Sequence, residues 1–315
     1  MFEELKKEIE RAHTVIIHRH THPDGDAMGS QIGLAGIIRE NYPEKKVYTV
    51  GDEAGRYAFM DGAVMDTVGD DAYDGALAVV LDCASKALVS DKRFALAART
   101  ARVDHHIYCE TFTDLEIVDT SFESCCGMIA AFAKECGFSL SSGTATAIFT
   151  GMVTDSGRFR YDSTGARTFA LASFLMEAGV DTAALYRNLY AEELESVKRR
   201  ASFICKITRY KDSAVSYIYN TAEEVASSGM DVFSVSRGMV NVMSDIRGID
   251  IWVNFTEAEG KVLCELRSSV YNINPVAVKY GGGGHKKASG ASVADRETAM
   301  MMLEDLRRLT EEENA

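Results

Sequence analysis

The sequence has little proline, with only Pro23, Pro43 and Pro275 among 315 residues, and a single tryptophan. It lacks any uninterrupted apolar run of about 18 residues, so no membrane span is expected. Its N-terminus, Met1-Phe2-Glu3-Glu4-Leu5-Lys6-Lys7-Glu8, lacks the apolar core of a signal peptide, which points to the cytoplasm. The seven cysteines are odd in number and form no C-x-x-C, so neither a disulfide framework nor a thiolate zinc site is indicated. They read as small buried residues in a reducing compartment. Bases are scarce beside acids, 34 against 47, for a net charge of −13. That balance excludes a chain that coats long duplex nucleic acid through a broad basic surface. It leaves room for an enzyme that holds a short phosphorylated ligand with a few local charges. There is no internal repeat or low-complexity segment. With 46% hydrophobic and 26% charged residues, disorder is excluded as well.

What is present alternates between strand and helix. Residues 2–12 read as a helix, and Thr14–His18 as a short buried strand. A helix follows over 27–40. Strands are expected at 46–50, 76–81, 100–103 and 115–118, and helices at 124–136 and 143–153. This pattern predicts a mostly parallel sheet flanked by helices. A charged helix is expected over 181–201. Beyond it lie strands at 214–219, 249–255 and 261–267, helices at 231–244 and 274–280, and a last amphipathic helix over 295–313. The length fits two domains, a larger α/β domain over residues 1–188 and a smaller one over 207–315, joined by a linker helix over 189–206.

Several polar residues fall at the carboxyl ends of the first domain's strands, where ligands bind in such sheets. His20-Thr21-His22-Pro23-Asp24-Gly25-Asp26 puts two carboxylates and an imidazole on a short loop before a helix. Asp82 ends the most apolar strand, Asp104-His105-His106 ends the next, and Asp155 lies in Thr154-Asp155-Ser156-Gly157. Asp24 or Asp26 could simply cap the helix, and Asp82 alone could be a turn residue. Together, so many acids in one cleft would repel each other unless cations were bound. Carboxylate and imidazole ligands suit Mn²⁺ or Mg²⁺. Two cations about 4 Å apart could polarise a phosphoryl group and activate a water as hydroxide, which makes the chain a candidate phosphoester or phosphoanhydride hydrolase.

These motifs resemble the DHH phosphoesterase family, in order and spacing, with Asp104-His105-His106 as the naming motif. The resemblance implies that His20, Asp24, Asp26, Asp82, His105 and Asp155 are metal ligands, with Asp82 as the bridge. It implies that Asp104 supports them from behind and that His106 faces the substrate as phosphate contact or proton donor. His18 and His22 fall off the matched positions. The implied cofactors are two divalent cations, Mn²⁺ first, with Mg²⁺ or Co²⁺ as alternatives.

Near the C-terminus, Gly281-Gly282-Gly283-Gly284-His285-Lys286-Lys287 resembles the glycine-rich signature of the DHHA1 domain, a loop whose backbone could approach a phosphate. In that resemblance Arg267-Ser268 and Gly282, Gly283, Gly284 and His285 bind substrate. Lys261, Arg267, Lys279, Lys286 and Lys287 face only Glu265 over residues 261–290, a local basic excess in an acidic chain.

Within the family the chain is similar to stand-alone two-domain nanoRNA phosphodiesterases that also act on 3′-phosphoadenosine 5′-phosphate. The implied partners are short 5′-phosphorylated RNA, dinucleotides such as linear diadenylate, and a nucleoside bisphosphate. A homodimer is compatible with the family. One alternative is an inorganic pyrophosphatase, which shares the first domain's ligands but has a different second domain. Another is a non-catalytic nucleotide-binding regulator.

Overall fold

The computed structural model describes residues 1–312. The chain divides into two compact units, Met1–Ala191 and Glu192 onward. In the first, α1 (Glu3–Arg11) buries Leu5 and Ile9. There follow β1 (Thr14–His18), α2 (Gly25–Asn41), β2 (Lys46–Thr49), β3 (Leu77–Leu81), β4 (Arg99–Asp104) and β5 (Leu115–Val118). All five strands are parallel, in the order β2-β1-β3-β4-β5. β3 is buried at every position, as its continuous apolar run requires of a strand covered on both faces. Four more helices complete the unit: α3 (Cys125–Cys136), α4 (Ser142–Asp155), α5 (Ala166–Glu177) and α6 (Thr182–Tyr190). The sequence pattern did not reveal α5.

A seam of small residues joins α2 to α4. A Cβ on Gly25, Gly33 or Gly36 would meet Thr154, Ile148 or Thr144 within 2.4 Å. On Gly29 it would lie 2.5 Å from the carbonyl oxygen of Ala147. The two helices therefore run antiparallel at close range. The first turn of α2, with Asp26, is brought beside the last residue of α4, Asp155.

The charged helix expected over 181–201 is two helices, α6 and α7 (Leu194–Ile204). The reason lies in packing: α6 buries Leu185 and Leu189 in the first core, whereas α7 buries Phe203 in a cluster of the second unit. That unit continues with β6 (Thr208–Arg209), β7 (Val215–Asn220), α8 (Ala222–Ser227), β8 (Ile251–Ala258), β9 (Lys261–Ser268), α9 (Asn274–Lys279), β10 (Gly283–His285), β11 (Ala288–Val293) and α10 (Arg296–Glu312). Its sheet has the order β10-β11-β9-β8-β7-β6, with only β7 and β8 parallel. The helix expected over 231–244 is a π-helical turn at Ser234–Gly238 followed by a 3₁₀ turn at Val240–Met243. Buried Asn254 on β8 donates to the carbonyls of Val235 and Ser236 at 2.7 and 2.6 Å, drawing them out of a regular α ladder. No single helix among the described residues is long and apolar enough to cross a membrane.

Gly29→Ala tests the seam. Alanine favours a helix by about 1 kcal/mol over glycine. The clash with a backbone carbonyl cannot be relieved by a rotamer change, so a net loss of about 1–3 kcal/mol is expected. A melting temperature several degrees lower, measured by circular dichroism, is the expected outcome. An unchanged or higher one would contradict the close packing.

Candidate metal centre

The carboxyl ends of β1, β3 and β4 open on the same edge of the parallel sheet. Just past β1, His20 pairs with Val89 in an isolated bridge, and Ser90 N donates to Arg19 O at 2.9 Å. The His20 Nδ1–H faces its neighbour's carbonyl, Thr21 O, at 2.8 Å, which leaves Nε2 turned to the cleft. That nitrogen lies 3.7 Å from Asp24 Oδ1 and 3.4 Å from Asp82 Oδ2. Asp24 caps α2, accepting from the amides of Asp26 and Ala27, so the capping role weighed from the sequence is real and coexists with its place in the cleft.

Asp82 follows β3 with φ of 55°, a left-handed conformation that a non-glycine residue adopts at some cost. Its side chain is 2% exposed, and its Oδ1 has no hydrogen-bond partner. A buried carboxylate oxygen left in that state is expensive unless something cationic meets it. His105 Nε2 sits amid the carboxylates, 3.7 Å from Asp26, 3.6 Å from Asp82 and 3.5 Å from Asp155. Three groups thus have their donor atoms close enough to share a metal ion: His20, Asp24 and Asp82; Asp82, His105 and His106; and Asp26, His105 and Asp155. Asp82 and His105 each belong to two of them.

Asp26 is fully buried. Its carboxylate accepts from the first two amides of α3, Cys125 N at 2.7 Å and Cys126 N at 2.8 Å. These two residues carried no signal in the sequence, since they act through the backbone. The positive end of a helix is worth at most about 2 kcal/mol to a partly buried anion. Burying an unpaired ion costs several kcal/mol, so the helix alone does not settle the charge. Burial, then the neighbouring Asp82 and Asp155, accordingly push the Asp26 carboxyl well above its usual range. Burial raises Asp155 to about 6 in the same way, with Asp82 and Asp24 adding to it against the pull of His105. For His20, burial opposes the charge, but the nearby carboxylates of Asp24 and Asp82 overcome it and raise the imidazole to about 10. Holding Asp24, Asp26, Asp82 and Asp155 ionised together would leave more negative charge at this edge than the raised His20 and His106 imidazoles can balance. The donor set, the orphaned Asp82 oxygen and this excess of negative charge all fit divalent cations.

Asp104 lies behind the cleft, fully buried. Its Oδ1 is 2.8 Å from His106 Nδ1, and this hydrogen bond raises His106 to about 9. Burial pushes the Asp104 carboxyl up, but that bond, the charge and backbone amide of His106 and the charge of Arg102 together hold it below its usual range. His18 faces away from this edge, fully buried against Tyr73 and Phe94, and burial lowers it to about 4. His22 is exposed.

In the second unit, β9 and β11 bring Arg267 opposite Ala288. The glycine run expected as a loop is half strand: β10 pairs with β11, His285 opposite Ala288. Gly282 and Gly284 are demanded by the hairpin itself, because a Cβ there would lie 2.1 Å from Gly290 O and 2.6 Å from Ala288 O. Around Gly283 the space a Cβ would take is open. His285 and Lys286 are exposed. Arg267 is paired to Glu265 at 3.2 Å. Ser268 is buried and builds the turn, accepting from Val270 N and Tyr271 N while donating to Asp250 O.

Comparison with known proteins finds both domains. The model of the DHH family N-terminal domain matches residues 14–152, and that of the DHHA1 domain matches residues 216–312. A protein of Bacillus subtilis named bifunctional oligoribonuclease and PAP phosphatase NrnA is 34% identical, covering 98% of both chains. A probable NrnA of Streptococcus mutans is 33% identical, covering 97% of this chain and 98% of its own. Among solved structures, an exopolyphosphatase-related protein from Bacteroides fragilis superposes with a TM-score of 0.81 at 26% identity, covering 96% of this chain and 94% of its own. With both domain models matched in order and full-length relatives at this identity, the chain belongs to the DHH phosphoesterase family and is a hydrolase of the DHH–DHHA1 kind.

Proposed function

We propose that the protein hydrolyses phosphoester bonds in short oligoribonucleotides and dinucleotides, and removes phosphate from 3′-phosphoadenosine 5′-phosphate. The observation that carries this reading is the sharing of Asp82 and His105 between three-donor groups at one strand-end edge. The names of the Bacillus subtilis and Streptococcus mutans relatives support the substrate class. The DHHA1 match over 216–312 disfavours the pyrophosphatase alternative, which lacks that domain.

In this reading His20, Asp24, Asp26, Asp82, His105 and Asp155 would hold two divalent cations, Mn²⁺ first, Asp82 and His105 being the ligands common to more than one donor group. Cations bound there would supply charge neutralisation at the phosphoryl group and activation of water. The chain's own residues do the rest. Asp26, pinned by two amides, and Asp82, pinned by its turn, fix the donor positions. His106 directs Nδ1 at Asp104, so Nε2 is free to carry a proton to the leaving oxygen. In the second unit, Arg267 and His285 supply donors to a phosphate, and the open space at Gly283 lets one approach the backbone. We place the enzyme in the cytoplasm, where the seven free cysteines would stay reduced.

Purified protein with Mn²⁺, given a 5′-phosphorylated diribonucleotide, 3′-phosphoadenosine 5′-phosphate and pyrophosphate, should turn over the first two. Turnover of pyrophosphate alone would overturn the assignment. Asp82→Ala should lower kcat by more than about a hundredfold.

The His106 role has a pH signature. A proton donor must be protonated, so kcat falls as pH rises through its pKa. The Asp104 bond raises that pKa, so Asp104→Asn should move the alkaline fall to lower pH. A fall that stays in place would remove His106 as the donor.

A further inference from the structure

Directly after His105-His106 the chain leaves apolar side chains in water. Ile107 is 80% exposed and Tyr108 53% exposed. Leu88, also exposed, and Ala84 line a cavity of about 200 Å³ together with His20, Asp24, Asp82, His105, His106 and Asp155. The cleft thus has an apolar wall on one side of its carboxylates.

The Tyr108 ring is held in place. The guanidinium of Arg102 lies beneath it, its Cζ 5.5 Å from the ring centroid and 4.7 Å from that of Phe112. Arg102 is completely buried and is itself fixed, with Nε 2.7 Å from Glu116 Oε2. It donates to the carbonyls of Cys83 and Ala84 at 3.4 and 3.3 Å, the two residues that follow Asp82. The Tyr108 hydroxyl is hydrogen-bonded to Thr111 Oγ1. One guanidinium therefore touches both the cleft wall, at Ala84, and the tyrosine ring. Arg102 thus links the ring to Ala84 of the cavity lining, and the ring, two residues after His106, is half exposed to water.

We propose that Tyr108 is the stacking platform for a nucleobase of the substrate whose phosphate is handled in the cleft. This rests on the phosphodiesterase reading above. Every base offers a π face, and stacking on a fixed aromatic ring is tolerant of sequence. Flat ligands are favoured over aliphatic ones because the tyrosine presents a π face backed by the Arg102 guanidinium. Covering Arg102 does not by itself call for an aromatic here, since Phe112 packs closer to it. A base lost from the ligand would leave the phosphate chemistry intact and remove the stacking.

The test uses the full-length protein with Mn²⁺, a 5′-phosphorylated dinucleotide, and two analogues that each lack one base. Tyr108→Leu keeps apolar bulk over Arg102 and removes the π face. It should raise KM for the full dinucleotide by about tenfold or more, with kcat little changed. Tyr108→Phe should restore the wild-type KM. With one of the two abasic analogues, wild type and Tyr108→Leu should have the same KM. An unchanged KM for the full dinucleotide overturns the proposal. So does a KM rise that persists with both analogues, which would make Tyr108 a structural cover only. Wild-type protein inert on every nucleotide would sink the phosphodiesterase reading itself, whatever the variants do.

Discussion

Four carboxylates, from Asp24, Asp26, Asp82 and Asp155, converge on one end of a parallel sheet, and their mutual repulsion is the constraint that the site is built around. Two of them are almost completely buried. Burial and like charge push Asp26 and Asp155 toward the protonated form, while His20 is drawn toward the charged form. A fold does not assemble such a group by accident of packing, because apolar side chains would fill the same volume at less cost. The cluster is consistent with a site whose charges are completed by divalent cations, and the family to which the chain belongs is one of phosphoesterases.

The scaffold holds that tension from several directions at once. The glycine seam brings α2 and α4 close enough for Asp26 and Asp155 to meet His105. The first amides of α3 grip Asp26, whose backbone carbonyl also lies 3.4 Å from Cys126 Sγ. Asp82 keeps a left-handed backbone because Arg102 holds the two carbonyls after it and Val103 O accepts its amide at 3.1 Å. Strain at one residue is thus over-determined by its neighbours. The acidity of the whole chain gains a local meaning. Part of its negative charge is concentrated in the cleft, while in the second unit Arg267 on β9 lies near the hairpin that carries Lys286 and Lys287.

Much of this was legible in the sequence, for a physical reason. Parallel strands read as short apolar runs, and the first polar residues after each run must emerge at the same edge. The sequence alone therefore puts Asp82, Asp104 and His105 at that edge. The pattern was less informative where function depends on backbone. Nothing in Cys125-Cys126 says that their amides hold a carboxylate. Arg102 looked like an ordinary strand residue, because its partners Cys83, Ala84 and Glu116 are distant in sequence. The 231–244 segment has helical periodicity, but a tertiary hydrogen bond from Asn254 reshapes it. Four consecutive glycines look like a flexible loop, and the pairing of β10 with β11 turns half of them into strand. Ser268 sits beside a candidate phosphate ligand, yet its hydroxyl is occupied in the turn.

The central claim is that the cleft holds two cations on shared ligands. Crystals grown with Mn²⁺ and measured near the manganese edge test it most directly. The account predicts two anomalous peaks per chain, one within reach of His20, Asp24 and Asp82 and one within reach of Asp26, His105 and Asp155, with Asp82 contacting both. A single peak, or peaks away from Asp82, would contradict it.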